Sequence, residues 1–173
     1  MADEVLTERR ARTLVITINR PEARNAFNLA VAQGLADAMD ELDDTAELSV
    51  AIVTGAGGTF CAGMDLKAFM AGEVPSIRGR GGIGFTERPP RKPVIAAVEG
   101  YALAGGTEIV LATDLVVAAK DAKFGIPEVK RGWSPRAAVC CACRTASPYQ
   151  KALELALTGE SFTAEQAAQW GVS

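Results

Sequence analysis

Two glycine-rich turns and two glutamates hold most of the chemistry this sequence could perform. FCAGMDL (60–66) leads small residues into an Asp-Leu pair that opens a helix, and GYALAGGTE (100–108) places Gly105 and Gly106 between a strand and an apolar run. Small residues let a ligand approach the backbone closely, and the N–H groups at a helix start are unmatched donors that attract negative charge. Two such turns aimed at one oxygen make an oxyanion hole; taken alone, FCAGMDL is an ordinary tight turn. Glu108 lies on the second turn beside mainly apolar residues, where a buried carboxylate is costly unless paired or used. Glu128 follows Pro127 in FGIPE, a place that a helix-start glutamate also occupies. The chain has no histidine. Ser-His-Asp and Cys-His catalysis in their usual forms are therefore excluded, and acid–base work falls to carboxylates, Lys, Tyr or Cys.

Other motifs carry less. GRGGIG (79–84) matches the dinucleotide-binding pattern of glycines, yet no strand precedes it and Pro89, Pro90 and Pro93 follow where a helix should begin. Cys140, Cys141 and Cys143 lack the spacing of common zinc sites, so no metal is expected. Arg78, Arg80, Arg88, Arg91 and Lys92 cluster locally, and a solvated loop is preferred to an anion site. The net charge of −3 gives no broad nucleic-acid footprint. No apolar run is long enough to cross a membrane, and the acidic start MADEVLTERR is not a secretory signal. A cytoplasmic location is the resulting expectation.

The elements that must position these residues follow from periodicity. With 173 residues, 49% hydrophobic and 23% charged, the chain reads as one globular domain. Strands are expected over 5–8 and 13–19, with 9–12 as their turn. Asn28 caps a helix over 29–42 whose Val31, Leu35, Met39 and Leu42 share a face. Further strands are expected over 50–53, 93–98 and 115–119, helices over 148–157 and 163–170, and a capping box between Thr163 and Gln166. Residues 71–93, rich in Gly, Pro and Arg, read as a mobile loop. The recurrence of strand, turn and helix indicates an α/β or α+β fold.

NRPEARNAFN (19–28), FCAGMDL, EGYALAGGTEIVLATDLVVAA (99–119) and FGIPEVKRG (124–132) stand in this order. Together they resemble the crotonase, or enoyl-CoA hydratase/isomerase, superfamily over nearly all of 1–132 and again from Pro148. The resemblance implies a single crotonase-like domain over 1–173, a spiral of repeated ββα turns. It implies that the N–H groups of Met64 and Gly105 form the oxyanion hole, and that Ala62, Asp65, Leu66 and Lys67 lie along a CoA-binding edge. It further implies that Glu108 and Glu128 are the acid/base pair that adds water to a 2-enoyl-CoA. Isomerisation or dehydration by the same site, or an inactive acyl-CoA-binding remnant, are the alternatives. No metal or redox cofactor is implied; the partner is the acyl-CoA substrate, with neither nucleic acid nor membrane, and the family forms trimers or hexamers.

One stretch departs from the pattern. WSPRAAVCCACRTAS (133–147) stands where relatives have a Gly-rich turn and an apolar helix. A GC-rich back-translation from Gly132 to Pro148, with one C inserted after the first codon, reads GLVAAGGGLLRLPNRIP, which is family-like throughout. A pair of compensating frameshifts accounts for this, and makes the cysteine trio a by-product. The resemblance also implies C-terminal helices beyond Ser173 that complete the acyl pocket and the oligomer. With segment 133–147 altered close behind Glu128 and those helices missing, a weak or inactive hydratase is expected.

Overall fold

Alternating apolar residues build the main layer of the protein. In the computed structural model, which describes residues 3–132 and 148–172, the elements in chain order are β1 (Val5–Arg10), β2 (Thr13–Ile18), α1 (Leu29–Asp44), β3 (Val50–Gly55), α2 (Leu66–Met70), β4 (Ser76–Ile77), β5 (Gly81–Gly82), β6 (Val94–Val98), β7 (Tyr101–Leu103), α3 (Gly105–Leu111), β8 (Leu115–Ala118), β9 (Lys123–Gly125), a 3-10 turn (Pro127–Arg131), α4 (Tyr149–Thr158), β10 (Ser161–Thr163) and α5 (Ala164–Gln169). Five strands pair in the order β1-β2-β3-β6-β8. The first pair is antiparallel and the others parallel. Leu14, Ile16 and Ile18 of β2, Ala51 and Val53 of β3, and Val94, Ala96 and Val98 of β6 all point into one core.

A second layer explains the spiral. β7 pairs parallel with β9, and β9 antiparallel with β10. Single parallel bridges, Phe27 to Met64 and Cys61 to Ala102, extend the same layer. Each of β2, β3, β6 and β8 thus leads to a short second-layer segment and then to a helical element: α1, α2, α3 and the 3-10 turn. Four ββα turns follow one another, as the resemblance implies.

Local chemistry sets the helix ends. The Asn28 side chain accepts the Val31 N–H at 2.9 Å, a cap typically worth about 1 kcal/mol. Val31, Ala32, Leu35, Ala36, Ala38, Met39 and Leu42 form the buried face of α1. The expected Thr163–Gln166 capping box is present at the start of α5.

Residues 71–93 differ from the loop that their composition predicts. They contain the two-stranded β4–β5 ladder, and Ile83 and Phe85 are buried in the main core. Their basic cluster is also only partly solvated. Arg78 and Arg88 are exposed, whereas Arg80 is buried and paired with Asp40 of α1. Lys92 Nζ donates to the Leu42 and Thr45 carbonyls, both at 2.7 Å. The carbonyls that end a helix lack intrahelical donors, and here a lysine from a distant loop satisfies them. The segment 133–147, with its cysteine trio and the frameshift reading, lies outside the described residues.

Candidate active site

The two glycine-rich turns interlock. Gly63 has φ +102°, and a Cβ there would stand 2.9 Å from the Ala104 Cβ and 3.7 Å from the Gly105 nitrogen. A Cβ on Gly106 would collide with the Cys61 carbonyl oxygen, which accepts the Leu103 N–H at 2.9 Å. The glycines therefore allow two consecutive spiral turns to approach backbone to backbone. Cys61 is wholly buried between them; burial pushes its thiol up to about 12.

This approach orients two N–H donors. In the Phe27–Met64 bridge, Phe27 donates to the Gly63 carbonyl and accepts from the Asp65 N–H, both at 2.9 Å. Met64 is the central residue of that parallel ladder, so its own N–H points away from Phe27. Gly105 is the first residue of α3, where the N–H has no intrahelical carbonyl. Among the described residues, neither N–H finds an acceptor. Ala104, immediately before, has φ 52° and ψ −123°, a strained backbone for a residue with a side chain. Its N–H donates to the Gly125 carbonyl at 2.8 Å.

The two glutamates lie on elements that start from this junction or from β9, which bonds to it. Glu108 is 8% exposed and sits in the first turn of α3, its N–H donating to the Ala104 carbonyl at 3.1 Å. The neighbouring Thr107 hydroxyl lies 2.8 Å from the Gly125 carbonyl at the end of β9, three residues before Glu128. Glu128 stands in the 3-10 turn after Pro127, next to buried Ile126, which packs with Ala152 of α4 and Leu111. Removal from water raises the Glu128 pKa above its ordinary value, and its Oε2 has no hydrogen-bond partner among the described residues.

The remaining predicted residues divide. Ala62 is half-buried, and Leu66 and Lys67 are exposed on the same turn. The Asp65 carboxylate caps α2, accepting the Lys67 and Ala68 N–H groups, and pairs with Arg20 at 3.0 Å. These contacts, the Ala68 N–H foremost, hold its pKa below the usual carboxylate range. Three scaffold residues were not assigned roles from sequence. Arg20 anchors Asp65, and Thr107 joins α3 to β9. Buried Asn25 donates to the Ala56 and Thr59 carbonyls and accepts the Arg20 N–H. Arg20 and Asn25 lie within NRPEARNAFN, so a polar residue in a segment without periodicity was their one signal.

A ββα spiral with interlocked glycine turns defines a fold class, and sequence comparison gives the family: the enoyl-CoA hydratase/isomerase family profile matches residues 8–173, and the chain belongs to that family. It is 42% identical over 176 residues to enoyl-CoA hydratase EchA19 of Mycobacterium tuberculosis, covering 98% of this chain and 66% of that protein. It is 40% identical over 176 residues to a carnitinyl-CoA dehydratase of Salmonella enteritidis, covering 99% and 67%. The crystal structure of enoyl-CoA hydratase EchA1 from Mycobacterium marinum superposes with a TM-score of 0.96 at 62% identity, covering 98% of this chain and 67% of that one. The chain spans 60% to 67% of the length of such curated relatives.

Proposed function

We propose that this chain provides the catalytic centre of an enoyl-CoA hydratase, adding water reversibly to a 2-enoyl-CoA to give a 3-hydroxyacyl-CoA. The observation that carries this reading is the start of α3, where a single turn supplies both the Gly105 N–H, without an acceptor among the described residues, and buried Glu108. The Met64 and Gly105 N–H groups hold the thioester oxygen as it gains enolate charge. One such preorganised donor is typically worth about 2.7–4 kcal/mol. Glu108 orients the water and takes its proton as oxygen bonds to the β-carbon. Glu128 delivers a proton to the α-carbon, and its raised pKa favours the protonated form this step needs. Ala62, Asp65, Leu66 and Lys67 border the CoA, with Asp65 bracing the turn through its cap and Arg20. No step requires a metal or redox cofactor. Trimers or hexamers are what the family resemblance implies for its members, and a cytoplasmic location remains the expectation from sequence. No helix among the described residues is long and apolar enough to cross a membrane.

Glu108→Gln and Glu128→Gln, made in a frame-restored full-length protein, should each lower crotonyl-CoA hydration by about 10²–10⁴-fold, with thioester binding changed much less. Near-parental turnover by either variant removes that residue from the mechanism. The likeness to a carnitinyl-CoA dehydratase favours a second reading, dehydration of a hydroxyacyl-CoA by the same groups. Mass spectrometry in labelled water separates these from isomerisation, which incorporates no solvent oxygen.

A further inference from the structure

We propose that Thr107 is a positioning residue for both halves of the acid/base pair and for one oxyanion donor; this rests on the hydratase reading above. Thr107 is 1% exposed and lies between Gly105 and Glu108 in the first turn of α3. Its hydroxyl oxygen stands 2.7 Å from the Ala102 carbonyl and 2.8 Å from the Gly125 carbonyl, and accepts the Gly125 N–H at 3.3 Å. A hydroxyl carries one proton and two lone pairs, so it donates to one carbonyl at a time while accepting from Gly125. This one side chain therefore ties the middle of β7, the start of α3 and the end of β9 together.

The place of that tie gives it consequence. The Gly125 carbonyl also accepts the N–H of Ala104, whose strained φ of 52° turns the chain into α3. Strained backbone persists only when its surroundings over-determine it, and the Thr107–Gly125 bonds are part of that determination. Behind them follow the Gly105 N–H and Glu108 on one side and the 3-10 turn bearing Glu128 on the other. Loosening the tie lets the two carboxylates and the donor drift relative to one another, and small displacements of reacting groups are costly in rate.

The test uses Thr107→Val, which keeps the volume and loses the hydroxyl, and Thr107→Ser, which keeps the hydroxyl and loses a methyl. Two readouts are needed: kcat and KM for crotonyl-CoA, and the red shift of cinnamoyl-CoA on binding, which reports polarisation of the thioester by the N–H donors without any turnover. Thr107→Val is expected to lower kcat roughly 10-fold or more with KM within about twofold, and to shrink the spectral shift. Thr107→Ser should restore both. Equal losses in the two variants, following the fall in melting temperature, would reduce Thr107 to packing and overturn the proposal, as would parental kcat and shift in Thr107→Val. If a frame-restored full-length parent binds and shifts cinnamoyl-CoA but hydrates nothing, the hydratase reading fails. The shift then still judges Thr107: its loss in the Val variant and return in the Ser variant uphold the positioning role. A parent that neither hydrates nor shifts overturns both.

Discussion

Glu128, the proposed proton donor, is held in the fold at an electrostatic cost. Desolvation raises its folded-state pKa above the ordinary value of 4.5, so the folded state binds more protons there than the unfolded chain does. Stability from this group is fully present below the unfolded pKa and is lost as pH rises through the folded one. Glu128→Gln should therefore melt at a higher temperature than the parent at pH 7, with the gap closing as the pH approaches 4.5. A gap that does not change with pH would mean that the carboxylate is not desolvated. Glu108 stands out in the sequence as a carboxylate beside apolar residues, whereas Glu128 reads equally as a helix-start residue; the two become a candidate pair only when the flanking motifs are read together. Arg20, Asn25 and Thr107 were not legible, because their roles lie in contacts such as Arg20 to Asp65 and Thr107 to Gly125 that span many residues.

At the scale of elements, strong periodicity was readable and short contact-made structure was not. The α1 face, the Asn28 cap and the strands around Leu14–Ile18, Val50–Val53 and Leu115–Ala118 follow from spacing alone. The three-residue strands β7, β9 and β10 have too few residues to show a period, and they exist because neighbouring turns pair with them. The 71–93 segment was misread as loose because glycine and proline dominate it, while Ile83, Phe85 and Arg80 anchor it to α1 and the core. Close approach at the second layer makes one substitution diagnostic. Gly106→Ala drives a methyl into the Cys61 carbonyl, and overpacking of this kind typically costs about 1–3 kcal/mol. A clear fall in melting temperature together with lost hydration is expected. A stable, active Gly106→Ala protein would show that the two turns do not need their contact.

Across the whole molecule, the two edges of the main sheet are unlike. β1 carries Glu8, Arg9 and Arg10, with Arg9 paired to Glu41 and Arg10 to Glu8; charged edges resist strand addition. β8 at the opposite edge exposes Leu115 at 61% and Val117 at 66%. Such an edge is a template for self-association. Replacing both residues with Lys should reduce light scattering of the purified chain while shifting its melting temperature little, since neither side chain is buried. Undiminished association would place the sticky surface elsewhere.

The sealed position of Cys61 has a practical consequence. Its sulfur lies between the two turns that carry the Met64 and Gly105 donors, beside the Gly63 N–H at 3.4 Å, with the thiol held neutral by burial. Alkylation requires the thiolate, so a reagent can reach it only when those turns part. The rate at which the peptide containing Cys61 becomes labelled is then a clock for the breathing of these two turns, one that the protein carries without any added reporter.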